Sequence, residues 1–192
     1  MKRIRREYGL QLDPNACYKM EAVHERSERD FESVTGWLYL GADIVDKAFA
    51  KVGYTLGDLT ARSSSSSNPN YYIFCAFKCV DDIAKARIRE IERAALSYLD
   101  SLFCDSVGIS SRKFHAESGV LSECYYKVDF RDFFIQYHNF LYDRFSNDFL
   151  TSGFYSDFDE EEVWEGDFID CEFHKLMSRA EINQWIRSVL QN

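Results

Sequence analysis

Four side chains in the first half of the chain have the types and spacing needed to work on a phosphodiester. Tyr39 lies in the segment GWLYL, Lys51 opens the segment KVGYT, Arg62 follows, and Glu92 falls on a helical stretch. The first two segments read as short strands ended by glycine or polar residues, so a phenol, an ammonium, a guanidinium and a carboxylate are gathered within under about 60 residues. Phosphodiester hydrolysis needs a positioned water, a route for its proton, positive charge against the developing equatorial anion, and support for the leaving oxygen. Arg62 offers phosphate a planar fork of donors that lysine lacks. A phenol with its ordinary pKa near about 10 is a poor base unless a cation lowers that value, and Lys51 on the neighbouring strand is the candidate cation. One carboxylate suffices for Mg²⁺, which keeps several waters and completes its shell with substrate phosphate, and Glu92 is the candidate ligand. Tyr54 and Thr55 are further candidates for positioning phosphate or water.

By residue type alone each position also has a plainer role. Tyr39 and Tyr54 suit strand packing, Arg62 suits a loop, and Glu92 stands beside Glu90 with Arg89 and Arg93 near, as on a solvated helix face with ordinary ion pairs. What separates the two readings is order along the chain, which resembles that of the GIY-YIG nuclease superfamily in its phage-type branch. Leu38-Tyr39 matches the Ile-Tyr or Val-Tyr pair of that family's first strand, and Lys51-Val52-Gly53 follows after eleven residues as its glycine-containing element. Arg62 lies nine residues beyond Gly53, where the family places its phosphate-contacting arginine. Glu92, Leu96 and Leu99 match the helical E-x-x-x-L/H-x-x-L pattern of the metal-binding glutamate, and Glu123-Cys124-Tyr125-Tyr126 looks like the final Glu-aromatic strand. The resemblance spans residues 33–142. Lys51 stands in place of the family's second tyrosine, as in some restriction-enzyme and phage-type members, and the late asparagine has only Asn139 as a counterpart. The resemblance implies a DNA endonuclease dependent on Mg²⁺ or Mn²⁺, of the kind found in phages, mobile elements or restriction systems. In it Tyr39 is the general base assisted by Lys51, Arg62 holds the scissile phosphate and Glu92 binds the metal. Members act as monomers, dimers or tetramers, so an oligomer is compatible with the resemblance.

Composition fits a globular protein of one domain with extensions: 192 residues, 46% apolar and 16% aromatic. No apolar run nears the roughly 18 to 20 residues that span a bilayer, and the N-terminal MKRIRREYGL lacks a signal peptide's apolar stretch, so no membrane partner and a cytoplasmic location are expected. Six cysteines show no C-x-x-C pair and read as reduced core residues. Cys75 and Cys79, four apart in a strand-like run, would stand about 13 Å from each other, too far to share one zinc. His24, His115, His138 and His174 show no ligand spacing either. The net charge of −9 is unusual for a chain that approaches DNA. From Asp157 onward ten carboxylates face only Lys175, Arg179 and Arg187, so the acidity belongs largely to the tail.

The predicted organisation is a polar leader over 1–30 with the basic cluster Lys2, Arg3, Arg5 and Arg6, a nuclease-like domain over 31–142, and an acidic, aromatic extension over 143–192 with a terminal helix. Strands are expected at about 35–41 and 49–55, in YYIFCAFKCV and in SECYYKVDF, with a serine tract between the second and third. Helices are expected in DDIAKARIREIERAALSYLDSLF, in RDFFIQYHNFLYDRF, and in SRAEINQWIRSVL behind a Ser178/Glu181 capping box. This is an α+β architecture, a small antiparallel or mixed sheet of three to four strands flanked by helices. The acidic segment 154–173 admits three readings: a solvated connection, a docking surface for a basic protein partner, or a phosphate mimic lying in the chain's own cationic groove. The charge also supports an alternative to catalysis, a non-catalytic acidic inhibitor or adaptor built on a degenerate nuclease-like scaffold.

Overall fold

The computed structural model describes residues 35–57, 59, 68–158 and 161–191. Arg62, the N-terminal basic cluster, Cys17, His24 and the serine tract lie outside the described residues. The elements are β1 (Trp37–Asp43), β2 (Ala50–Thr55), β3 (Tyr71–Lys78), α1 (Lys85–Leu102), β4 (Arg112–Phe114), β5 (Leu121–Tyr125), α2 (Phe130–Phe145), β6 (Thr151–Phe158), β7 (Glu161–Ile169), β8 (Cys171–Phe173) and α3 (Arg179–Leu190). Six strands form one sheet in the order β4-β5-β2-β1-β3-β8, every pairing antiparallel, and β6 and β7 form a separate hairpin. The fold is therefore α+β.

Strand β1 lies inside the sheet and all seven of its residues are buried. Because successive strand residues point to opposite faces, it fills two layers at once. Leu38, Leu40 and Ala42 join the main core with Val52, Phe74 and Phe77, whereas Trp37 and Tyr39 join a second cluster with Ile73 and Ala76 that Leu59 also touches. Helix α1 buries Ile88, Ile91, Ala95, Leu96 and Leu99, the i, i+3, i+4 stripe expected of a helix laid on a sheet. Helix α2 adds Phe133, Phe134, Tyr137 and Leu141 to the same core. Phe74 is the aromatic hub, meeting Phe130, Phe134, Phe173 and Trp185 edge to face at centroid distances of 4.9, 5.6, 5.7 and 4.8 Å. Asp129 caps α2 by accepting from the Asp132 N–H at 2.9 Å, and the Ser178/Glu181 capping box of α3 is present.

The sheet is larger than the three to four strands expected. Strands β4 and β8 are three residues each, too short to leave an alternating pattern in the sequence. The acidic segment differs most from expectation. Its residues 151–158 and 161–169 form a hairpin where a loosely ordered solvated connection was one of the expectations, and the terminal helix expected of the extension is α3. Phe154 and Ile169 are buried, and β8, which follows directly, pairs with β3, so residues 143–192 contribute a strand and core residues to the same body. Among the described residues no helix is long and apolar enough to cross a membrane.

Candidate active site

The strand register decides which candidates share a face. Tyr39 pairs with Gly53 on β2 and Ala76 on β3, while Trp37 pairs with Thr55 and Gly41 with Lys51. Tyr39, Lys51, Gly53 and Thr55 therefore emerge on one side of the sheet, away from the side that α1 and α2 cover. A phenol needs room there, and glycine supplies it. A Cβ at Gly53 would lie 2.5 Å from Tyr39 Cζ and 2.9 Å from Cε2, so the Tyr39 ring lies on the β2 backbone, and any side chain at 53 would expel it. One strand over the arrangement repeats: the Tyr71 ring occupies the space above Gly41, with its Cζ 2.7 Å from where a Cβ would stand.

Lys51 sits between these features, with its Nζ 5.4 Å from the centroid of the Tyr71 ring. Its cation thus contacts Tyr71, a phenol that the sequence reading did not single out. The signal available in the sequence was Gly41 inside a strand pattern, since a strand glycine often marks close approach by another group. Cys124 faces Lys51 from β5; burial pushes its thiol above the ordinary range, and the Lys51 charge opposes that shift. At the far end of β1, Asp43 accepts hydrogen bonds from Val45 N at 2.8 Å, Asp46 N at 2.9 Å and Asn68 Nδ2 at 2.6 Å. The Asp46 amide, above all, lowers its pKa, and the carboxylate serves to shape the β1–β2 loop.

Two candidates sit differently. Thr55 is buried, with its hydroxyl accepting from Gly57 N–H at 3.2 Å, so it closes the turn after β2. Tyr54 points to the helix-covered side, where its hydroxyl accepts from Arg89 Nε at 2.7 Å. That bond, and the bond from Arg93 Nε to the Arg89 carbonyl at 3.2 Å, engage the two arginines expected beside Glu92.

Glu92 departs from the solvated helix face. It belongs to the buried stripe of α1 and is only 6% exposed. Deep burial is rare for a carboxylate and costs free energy unless it is compensated, which makes it a mark of functional as well as structural sites. Glu92 stands on the side of the sheet opposite to the face from which Tyr39, 5% exposed, emerges. The wholly buried Tyr137 hydroxyl has its pKa raised well above the ordinary value, first by burial, then by the charge of Glu92, with smaller shares from Cys75, Cys79 and Tyr39.

In the Glu-aromatic strand, Glu123 is exposed on β5 while Tyr125 is fully buried. The Tyr125 hydroxyl donates to Asp100 Oδ1 at 3.0 Å, and Arg112 bonds the same carboxylate through Nε at 2.9 Å and Nη2 at 2.5 Å. This network ties β4 and β5 to the end of α1 and so fixes the edge beside Lys51. Among the described residues no group of three or more His, Cys, Asp or Glu side chains gathers to hold a metal. Comparison with protein-family models, with curated proteins and with solved structures finds no match to this chain.

Proposed function

We propose that the chain is a metal-dependent endonuclease of the GIY-YIG type that hydrolyses phosphodiester bonds of DNA. The observation that carries this reading is the buried carboxylate of Glu92, which a solvated ion-paired helix face does not explain. In this reading Tyr39 takes the proton of the attacking water, with Lys51 supplying positive charge on the same face, and Arg62 holds the scissile phosphate. A divalent ion such as Mg²⁺ or Mn²⁺ would supply charge neutralisation at the phosphate. Glu92 would be the one protein ligand of that ion, with water and phosphate completing its shell, which requires the carboxylate to reach solvent from its buried place on α1. Nicking and linearisation of supercoiled plasmid with Mg²⁺ or Mn²⁺ tests the proposal. Cleavage by the intact chain, lost in Glu92→Ala and Arg62→Ala variants that still fold, supports it; absence of cleavage by the intact, folded chain overturns it.

A second reading rests on a different observation. Tyr39 and Glu92 are both deeply buried and emerge on opposite sides of the sheet, as expected of residues retained for packing in a scaffold that no longer cleaves. The chain would then act as an acidic inhibitor or adaptor. The same assay separates the two, because only the first predicts metal-dependent cleavage.

A further inference from the structure

The hairpin β6–β7 has one face committed to the body of the molecule and one face that is not. On the inner side Phe154 meets Phe168 edge to face at 6.4 Å, and the Arg187 guanidinium lies 5.5 Å from the Phe154 ring while its Nη2 reaches Glu165 Oε1 at 3.2 Å. At the base of the hairpin the Ile169 N–H donates to His138 Nε2 at 3.1 Å. Alternation then turns Tyr155 to the outer side, and the bulge after Phe154 sets it directly opposite Trp164. Tyr155 is 56% exposed, Trp164 57% and the adjoining Val163 44%.

These rings are seated on the backbone. Both lean on Gly153, where a Cβ would lie 3.0 Å from Tyr155 Cε2 and 3.4 Å from Trp164 Nε1, and the indole N–H donates to Asp167 Oδ1 at 3.2 Å. A fixed pair of half-exposed rings loses little rotamer freedom on binding, which is how aromatic anchors gain affinity. Charge selects what they would anchor. From Phe145 to His174 the sequence holds ten carboxylates and not one Lys or Arg. Nucleic acid would be repelled, and so would a second copy offering the same charge. A guanidinium or ammonium gains twice, from the ring faces and from the net negative charge of this stretch, with Asp167 bonded to the indole.

We propose that the outer face of this hairpin binds an extended, arginine- or lysine-rich segment of another protein, with Tyr155 and Trp164 as its anchors. The inference does not depend on whether the chain cleaves DNA. The test is fluorescence anisotropy of a labelled ten-residue peptide of alternating Arg and Gly, titrated with the full chain, beside a matched Glu-Gly peptide. Binding of the Arg peptide alone, weakened at least about tenfold in Tyr155→Ser/Trp164→Ser and weakened by added salt, is the expected result. Glu160→Gln/Glu161→Gln/Glu162→Gln gives an independent arm and should weaken binding with the rings intact. No binding, equal binding of the two peptides, or Arg-peptide binding indifferent to either variant overturns the proposal. So does a concentration-dependent dimer in sedimentation that the aromatic variant abolishes, since the occupant would then be a second copy.

Discussion

The two faces of the six-stranded sheet are built on different rules. The helix-covered face is a continuous apolar layer, Leu38, Leu40, Val52, Phe74 and Phe77 against α1, α2 and α3, into which Glu92 intrudes. The opposite face carries phenols laid over glycines, Tyr39 on Gly53 and Tyr71 on Gly41, with a lysine over one ring and a buried threonine beside them. Area removed from water dominates the first, and shape around polar groups dominates the second. Stability should therefore be concentrated on one side, while most of the polar groups of the proposed site lie on the other.

The largest effect should come from the helix-covered face. Phe77→Ala removes a fully buried ring packed on Phe134 and Tyr137 and should cost about 3 to 5 kcal/mol in urea unfolding. Tyr39→Phe, which keeps the ring and removes only a hydroxyl, should cost under about 1.5 kcal/mol. Equal losses in the two variants would erase the contrast between the faces.

Acid should act next most strongly, again through the helix-covered side. Burial depresses the pKa of His138 from 6.5 to about 4, and the neutral ring accepts from Ile169 N–H through Nε2. Because the folded value lies below the unfolded one, this contribution is complete above about pH 6.5. It is lost as pH falls toward about 4, by roughly 3 kcal/mol in all. Denaturant midpoints measured from pH 7 to 4 should show that slope, and His138→Gln should remove most of it. A variant with an unchanged slope would place the acid sensitivity elsewhere.

A smaller effect on stability, but one confined to the Tyr39 face, is expected for Gly53→Ala. The added methyl meets the Tyr39 ring and should cost about 1 to 3 kcal/mol while displacing the phenol. Plasmid nicking should then fall by more than the folded fraction does. Loss of activity merely in proportion to unfolding would reduce Tyr39 to a packing residue.

How legible these faces were follows from the period of each segment. Strands β1, β2, β3 and β5 and helices α1, α2 and α3 lie close to where apolar spacing and caps put them, and the Ser178/Glu181 box marked the start of α3. The β6–β7 hairpin was hidden because acidic residues are poor strand formers, and the run Asp157 to Glu162 interrupts the alternation of Phe154, Val163 and Phe168. On the Tyr39 face, the shared side of Tyr39 and Lys51 was readable, but the seat of Lys51 over Tyr71 depends on a cross-strand register that no local pattern encodes. Glu92 is the instructive case. Its charged neighbours Glu90, Arg89 and Arg93 suggested solvent, whereas its place among Ile88, Ile91, Ala95 and Leu96 already put it on the buried stripe.

That residue also gives the smallest expected change in stability and the sharpest division between structure and chemistry. Glu92→Gln preserves shape and removes a buried negative charge. If Glu92 only anchors the fold through charge, the substitution leaves its partners unbalanced and the melting temperature falls. If it is held buried for a metal, the melting temperature should stay level or rise, as is common when a functional group that strains the fold is neutralised, while cleavage disappears. Calorimetry with and without Mg²⁺ provides a second readout that does not need activity. An ion that binds only the folded chain raises its melting temperature by mass action, and that increment should be present in the intact chain and absent in Glu92→Gln. A variant that melts lower and keeps the Mg²⁺ increment would return Glu92 to the scaffold and remove the carboxylate on which the nuclease reading depends.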